Sequence, residues 1–166
     1  MLDRDPSPRA TPGPVATPRD WGRVFRLAAT GGFAASGLVH LATFTPFPPE
    51  YGAALALVLL GGAFALLAAV IVRLRETDAP VRGRGPIRMV QWRALIALIP
   101  EGPRRAGAAV IAYVLMNLGL SLFVAEDGVG SVRLLSGHLL LFYLIPLMYF
   151  RFVEPRLRDG GGPSRS

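Results

Sequence analysis

The sequence predicts an all-α membrane protein: four transmembrane helices in an up-down bundle, both termini in the cytoplasm, with a short interfacial helix between the second and third spans. Three observations predict it. Of 166 residues, 52% are hydrophobic and only 17% charged, against roughly 25% charged in soluble domains. Four stretches carry no charge over a membrane's length: Leu27 to Pro49, Gly52 to Val72, Ala106 to Ala125 and Leu134 to Phe150. Seventeen of the eighteen arginines fall on one side of those stretches, and there is no lysine.

Residues 1–20, MLDRDPSPRATPGPVATPRD, are rich in proline and charge and are expected to form a disordered cytoplasmic tail. A signal peptide fits poorly, because this polar leader precedes the apolar run and no small-x-small cleavage site follows it closely. The membrane domain is expected over 21–152, with spans at about 24–45, 51–73, 105–125 and 132–151, and a second cytoplasmic tail over 153–166. Crossing ~30 Å of hydrocarbon at ~1.5 Å per residue takes about 20 residues. Backbone groups in lipid must bond one another, so these runs should be helices. The last run is the shortest, and Arg133 and Arg151 at its ends can reach the headgroups along their apolar stems.

Orientation follows from the arginines. Arg4, Arg9, Arg19, Arg23 and Arg26 precede or open the first span, eight more lie between Arg73 and Arg105, and Arg151, Arg156, Arg158 and Arg165 close the chain. Only Arg133 lies opposite, near Glu50, Glu126 and Asp127. The positive-inside rule then places both termini in the cytoplasm and leaves two short outward loops in a multi-pass protein of the cytoplasmic (inner) membrane. The pI of about 11.2 has its explanation in this topology, and no nucleic acid is needed. The all-arginine basic set fits a bacterial, high-GC coding sequence.

Between the second and third spans, GPIRMVQWRALIALIP is expected to fold as an interfacial helix over about 86–99, opened by Pro86 and stopped by Pro100. It is too short to cross. Arg84, Arg88, Trp92 and Arg93 are its expected lipid-interface residues, facing anionic lipid on the cytoplasmic leaflet. The second span, with Gly61, Gly62, Ala65 and Ala69, offers packing residues and no polar side chain. Pro146 should loosen the bond to the Phe142 carbonyl and kink the fourth span.

The polar residues within these runs define the candidate site. His40 lies ~9 Å below the outer edge of the first span and His138 ~7–8 Å into the fourth, by helical rise. The two histidines of the chain thus share one layer. Tyr113, Asn117 and Ser121, four apart, form one face of the third span, and Gly32, Ser36 and His40 form one of the first. Polar groups in a bundle face inward, so these stripes are expected to meet, with Arg133 at the mouth. The chain has no cysteine, which excludes disulfides and thiolate metal sites. No usable GxSxG, HExxH, P-loop or GxGxxG occurs, and no catalytic residue is assigned.

Three functions of different class use these residues. The first is a binding site reached from the outer face, with His40, His138, Asn117, Ser121, Ser36, Arg133 and Tyr113 as contacts. The second is a structural or accessory subunit in which the same groups bond each other and fix helix register. The alternative is a heme b electron-transfer subunit, with His40 and His138 ligating one iron across the bundle. A membrane protein partner or a second copy of the chain is the expected macromolecular neighbour.

The segments YVLMNLGLSLF and RLLSGHLLLFY resemble a motif pair in small bacterial inner-membrane proteins that have no assigned activity. The matching positions are Tyr113, Asn117, Arg133, Ser136, Gly137, His138, Phe142 and Tyr143, the second helix reading R-x-x-SGH-x-x-x-FY. The resemblance implies that the histidine region is a recurring unit, and it carries no mechanism.

Overall fold

A computed structural model describes residues 21–45, 48–76, 89–124 and 128–159. The expected disordered tail over 1–20, the loop carrying Arg84 and Arg88, and the chain's last seven residues lie outside them. The element order is α1 (Trp21–Ala42), α2 (Pro49–Glu76), α3 (Met89–Ala97), α4 (Glu101–Val124), α5 (Gly128–Met148), a π-helical turn (Tyr149–Val153) and α6 (Glu154–Arg158). Among the described residues all regular structure is helical. Three helices are long and apolar enough to cross a membrane: Trp21–Ala42, Glu50–Glu76, and the continuous stretch Ser131–Arg158.

Helix ends follow local chemistry. Pro49 sits at the first position of α2, where its missing N–H costs nothing, and Glu50 lies in the first turn against the helix dipole. Arg73 and Arg75 occupy the last turn, where cations are favoured. In α4, Glu101 and Arg105 pair at i,i+4 across 2.5 Å at the surface.

α5 is the hub. It packs against α1, α2 and α4, while α1 also packs on α2. Small residues at the crossings, Ala29, Ala56 and Ala63, are fully buried and let the backbones approach. Tyr143 of α5 enters the seam between α1 and α2, where its hydroxyl donates to the Leu59 carbonyl at 2.7 Å. A Cβ at Gly32 would lie inside the Tyr143 ring, and one at Gly62 would lie 2.7 Å from its hydroxyl. Both positions therefore require glycine. Toward the other end, Phe25 stacks on Phe150 at 5.1 Å.

Pro146 is fully buried inside α5. α5 stays helical through Pro146, and three residues on comes a π-helical turn closed by the Glu154 N–H bonding the Tyr149 carbonyl. The helix then continues to Arg158, beyond the predicted end of the span at about 151. Glu154 is drawn into this end of the bundle: its side chain is 4% exposed, 2.8 Å from Arg158 and 3.8 Å from Arg73 of α2. A residue expected in a solvated tail is thus an interhelical anchor.

α3 covers 89–97 and stops two residues short of the predicted end at about 99; the predicted start, 86–88, lies outside the described residues. It turns Leu95 into the core, with Leu98 and Ile99 packed beside it, and leaves Trp92, Arg93 and Ala94 exposed. The Arg156 guanidinium donates to the Leu98 carbonyl and ties α3 to α6.

Candidate functional site

The site sits where α1 ends and α5 begins. α1 stops at Ala42, ahead of Pro46, and its last carbonyls need partners. The Thr43 hydroxyl folds back to donate to the His40 carbonyl at 2.6 Å. Arg133 of α5 supplies the rest. Its Nη2 donates to the Thr43 carbonyl at 2.8 Å and its Nε to Thr43 Oγ1 at 3.3 Å, while the guanidinium lies 4.3 Å over the Phe44 ring. A cation at a helix C-terminus and over an aromatic face is favoured on both counts.

One turn deeper lies His40, buried and bonded through both ring nitrogens. Nδ1 is 2.9 Å from Ser136 Oγ of α5, and Nε2 is 2.5 Å from the Tyr113 hydroxyl of α4. Ser136 Oγ also donates to the Arg133 carbonyl at 3.1 Å. A serine hydroxyl has one proton. Given to Arg133, it makes Ser136 the acceptor of an Nδ1–H, leaving Nε2 to accept from Tyr113. The chain Tyr113 O–H to His40, His40 N–H to Ser136, Ser136 O–H to Arg133 satisfies each group and assigns the neutral Nδ1–H tautomer.

Asn117 Nδ2 reaches the same Arg133 carbonyl at 3.5 Å, the long limit of a hydrogen bond. Gly137 makes this approach possible: a Cβ there would stand 2.5 Å from Asn117 Nδ2 and 3.6 Å from His40 Cε1. With no side chain at 137, the carbonyl one turn back stays open to α4 while His40 crosses from α1.

Of the predicted site residues, the structure brings together His40, Tyr113, Asn117 and Arg133. Ser36 is buried one turn below, but its hydroxyl donates to the Gly32 carbonyl of its own helix at 2.8 Å. The Ser121 side chain is outside the described set. His138 is the principal departure. It is partly exposed, its Nδ1–H donates to the Leu134 carbonyl at 2.8 Å, and it does not meet His40. Residues two apart on a helix point about 200° apart, so Ser136 facing α1 turns His138 away. The pair therefore does not fit a bis-histidine heme: one imidazole has both nitrogens engaged, and the other points elsewhere.

Sequence reasoning missed Thr43. Ser136 and Gly137 entered only through the motif resemblance, without a role, and as a small pair they were the available sign that this face meets another helix. Chemically, the cluster presents no free general base, since the His40 lone pair accepts from Tyr113, and no open nucleophile, since Ser136 is fully buried. Its evident capacity is to lock α1, α4 and α5 in register. No protein-family model matches the chain, and neither a curated protein nor a solved structure was found to be similar to it.

Proposed function

We propose that the chain is a non-enzymatic accessory or binding subunit of the cytoplasmic membrane, with four spans, both termini inside, and the His40 cluster as a rigid polar lock in the outer half. The observation that carries the reading is the placement of polarity. Large apolar side chains face outward on all four long helices, with Leu38 69%, Val58 72%, Leu115 60% and Ile145 39% exposed. His40, Asn117, Ser36 and Ser136 are turned inward and bonded. Such an exposed apolar surface suits lipid and not water. α4 belongs to this pattern through Leu115, Met116 and Leu120, which supports a fourth span alongside the three helices named above. The arginine asymmetry supports the orientation.

Single cysteines test the topology directly, because the chain has none of its own. Ser131→Cys should react with a membrane-impermeant maleimide in intact cells, and Asp159→Cys only after lysis. The reverse pattern would overturn the orientation. For the role, an absorption spectrum of the purified protein, oxidised and dithionite-reduced, should show no Soret band. A band lost in both His40→Ala and His138→Ala would overturn the non-redox reading.

A further inference from the structure

α2 and α4 both pack on α5 without packing closely on each other. A groove remains between them, floored by Leu144 and Met148 of α5, walled by Val70 of α2 and Ile111 of α4, and closed at one end by Trp92 of α3. It encloses about 370 Å³. Its walls are apolar except at one end, where Arg104, in the first turn of α4, lies on the rim. Arg105 beside it pairs with Glu101, but Arg104 is exposed and makes no ion pair with a described residue.

We infer that this groove is a specific site for one anionic glycerophospholipid of the cytoplasmic leaflet, one acyl chain lying along α5 and the phosphate at Arg104. The inference rests on the membrane-embedded orientation proposed above. Size selects the occupant. A hydrocarbon chain is about 4–5 Å across by carbon contact distances and a helix with its side chains about 10 Å, so an apolar groove of this size matches a single acyl chain more closely than a partner helix or a second copy. Charge selects the headgroup: a single arginine on the rim of an apolar groove favours an anion over a zwitterion.

The test uses the full-length protein in nanodiscs of phosphatidylglycerol and phosphatidylcholine at equal mole fraction with matched chains, followed by native mass spectrometry of the lipid retained. The wild type should keep one lipid, phosphatidylglycerol over phosphatidylcholine by about fivefold, the preference expected of one arginine near the surface. Arg104→Gln should keep one lipid at close to the bulk ratio. Ala108→Trp, on the groove wall, should keep none, and Leu115→Trp, exposed on α4 outside the groove, should behave as wild type. Because Arg104→Gln touches no packing, it stays informative if Ala108→Trp folds poorly. Retention at the bulk ratio by the wild type, or unchanged retention in Ala108→Trp, would overturn the inference. So would a dimer that Ala108→Trp dissociates, which would make a second copy the occupant. A chain recovered outside membranes would instead overturn the membrane reading on which it rests.

Discussion

Gly32→Ala should be among the most damaging single-methyl additions in the protein, and Gly31→Ala, one residue away, should be harmless. At Gly32 the new methyl falls inside the Tyr143 ring. The ring has no retreat, because its hydroxyl is held by the Leu59 carbonyl and stands 2.7 Å from where a Gly62 Cβ would be. Overpacking of a tight core costs about 1–3 kcal/mol. Displacing Tyr143 also breaks a hydrogen bond worth roughly 0.6 kcal/mol in a membrane bundle, so a loss of ~2–3 kcal/mol is expected. At Gly31 nothing lies within 4 Å of a Cβ, and replacing a mid-helix glycine should gain about 0.5–1 kcal/mol. The assay is reversible unfolding by dodecyl sulfate in mixed micelles followed by circular dichroism. Tyr143→Leu should rescue Gly32→Ala in a double-mutant cycle, with a coupling of at least about 1 kcal/mol. Equal effects at 31 and 32, or additive behaviour of Gly32→Ala with Tyr143→Leu, would refute the packing account.

The His40 network makes a graded prediction by the same assay. Tyr113→Phe and Ser136→Ala each leave one His40 nitrogen unsatisfied in a buried place, and each should cost about 1 kcal/mol, within the range of roughly 0.6–1.7 for such bonds. Ser36→Ala removes a hydroxyl bonded only to its own helix and should fall within about 0.5 kcal/mol of wild type. Arg133→Lys keeps the charge but not the planar fork that spans the Thr43 carbonyl and hydroxyl. It should leave overall stability within about 1 kcal/mol while raising amide hydrogen exchange at 43–45 several-fold. Unchanged exchange there would show that the guanidinium does not hold the end of α1.

The helices and the polar residues within them were legible in the sequence, and rotation about each helix was not. The sequence placed His40 and His138 in one layer and Tyr113, Asn117 and Ser121 on one face; the structure bonds His40 to Tyr113, brings Asn117 to the Arg133 carbonyl and leaves His138 aside. Choosing between Ser136 and His138 needs the azimuth of α5. In a soluble helix hydropathy supplies the azimuth, since one face is apolar and the other polar. In lipid the outer face is as apolar as the core, so Leu139 and Leu141 look alike although the first is fully buried and the second lines the open groove. The remaining azimuth signal is residue size, because contacts in membrane bundles favour small residues. Gly32, Gly62 and the Ser136–Gly137 pair carry it, while the more conspicuous histidine pointed to the wrong side of α5. The Glu154 anchor was hidden for a different reason: proline and arginine in EPRLR read as a solvated tail, and only a fold that brings Arg73 alongside gives a buried carboxylate its partner.

The interhelical polar contacts on α5 have a spacing that bears on how the bundle sits in a bilayer. Arg133 of α5 holds the end of α1, and Glu154, which opens α6 beyond the π-helical turn, meets Arg73 of α2. The two are 21 residues apart, or about 31 Å at the α-helical rise, close to the ~30 Å of a bilayer's hydrocarbon core. The charge-bearing contacts thus lie about one hydrocarbon thickness apart. Between them, among the described residues, neutral hydrogen bonds of Ser136, Asn117 and Tyr143 join α5 to its neighbours, each placed where a small residue allows close approach. Each helix that α5 contacts is held by a different member of this set: α1 through Arg133 and Ser136, α4 through Asn117, α2 through Tyr143 and Glu154. Loss of α5 would leave, among the described contacts, the His40–Tyr113 bond between α1 and α4 and the packing of α2 on α1, which makes α5 the element on which most of the tertiary structure depends.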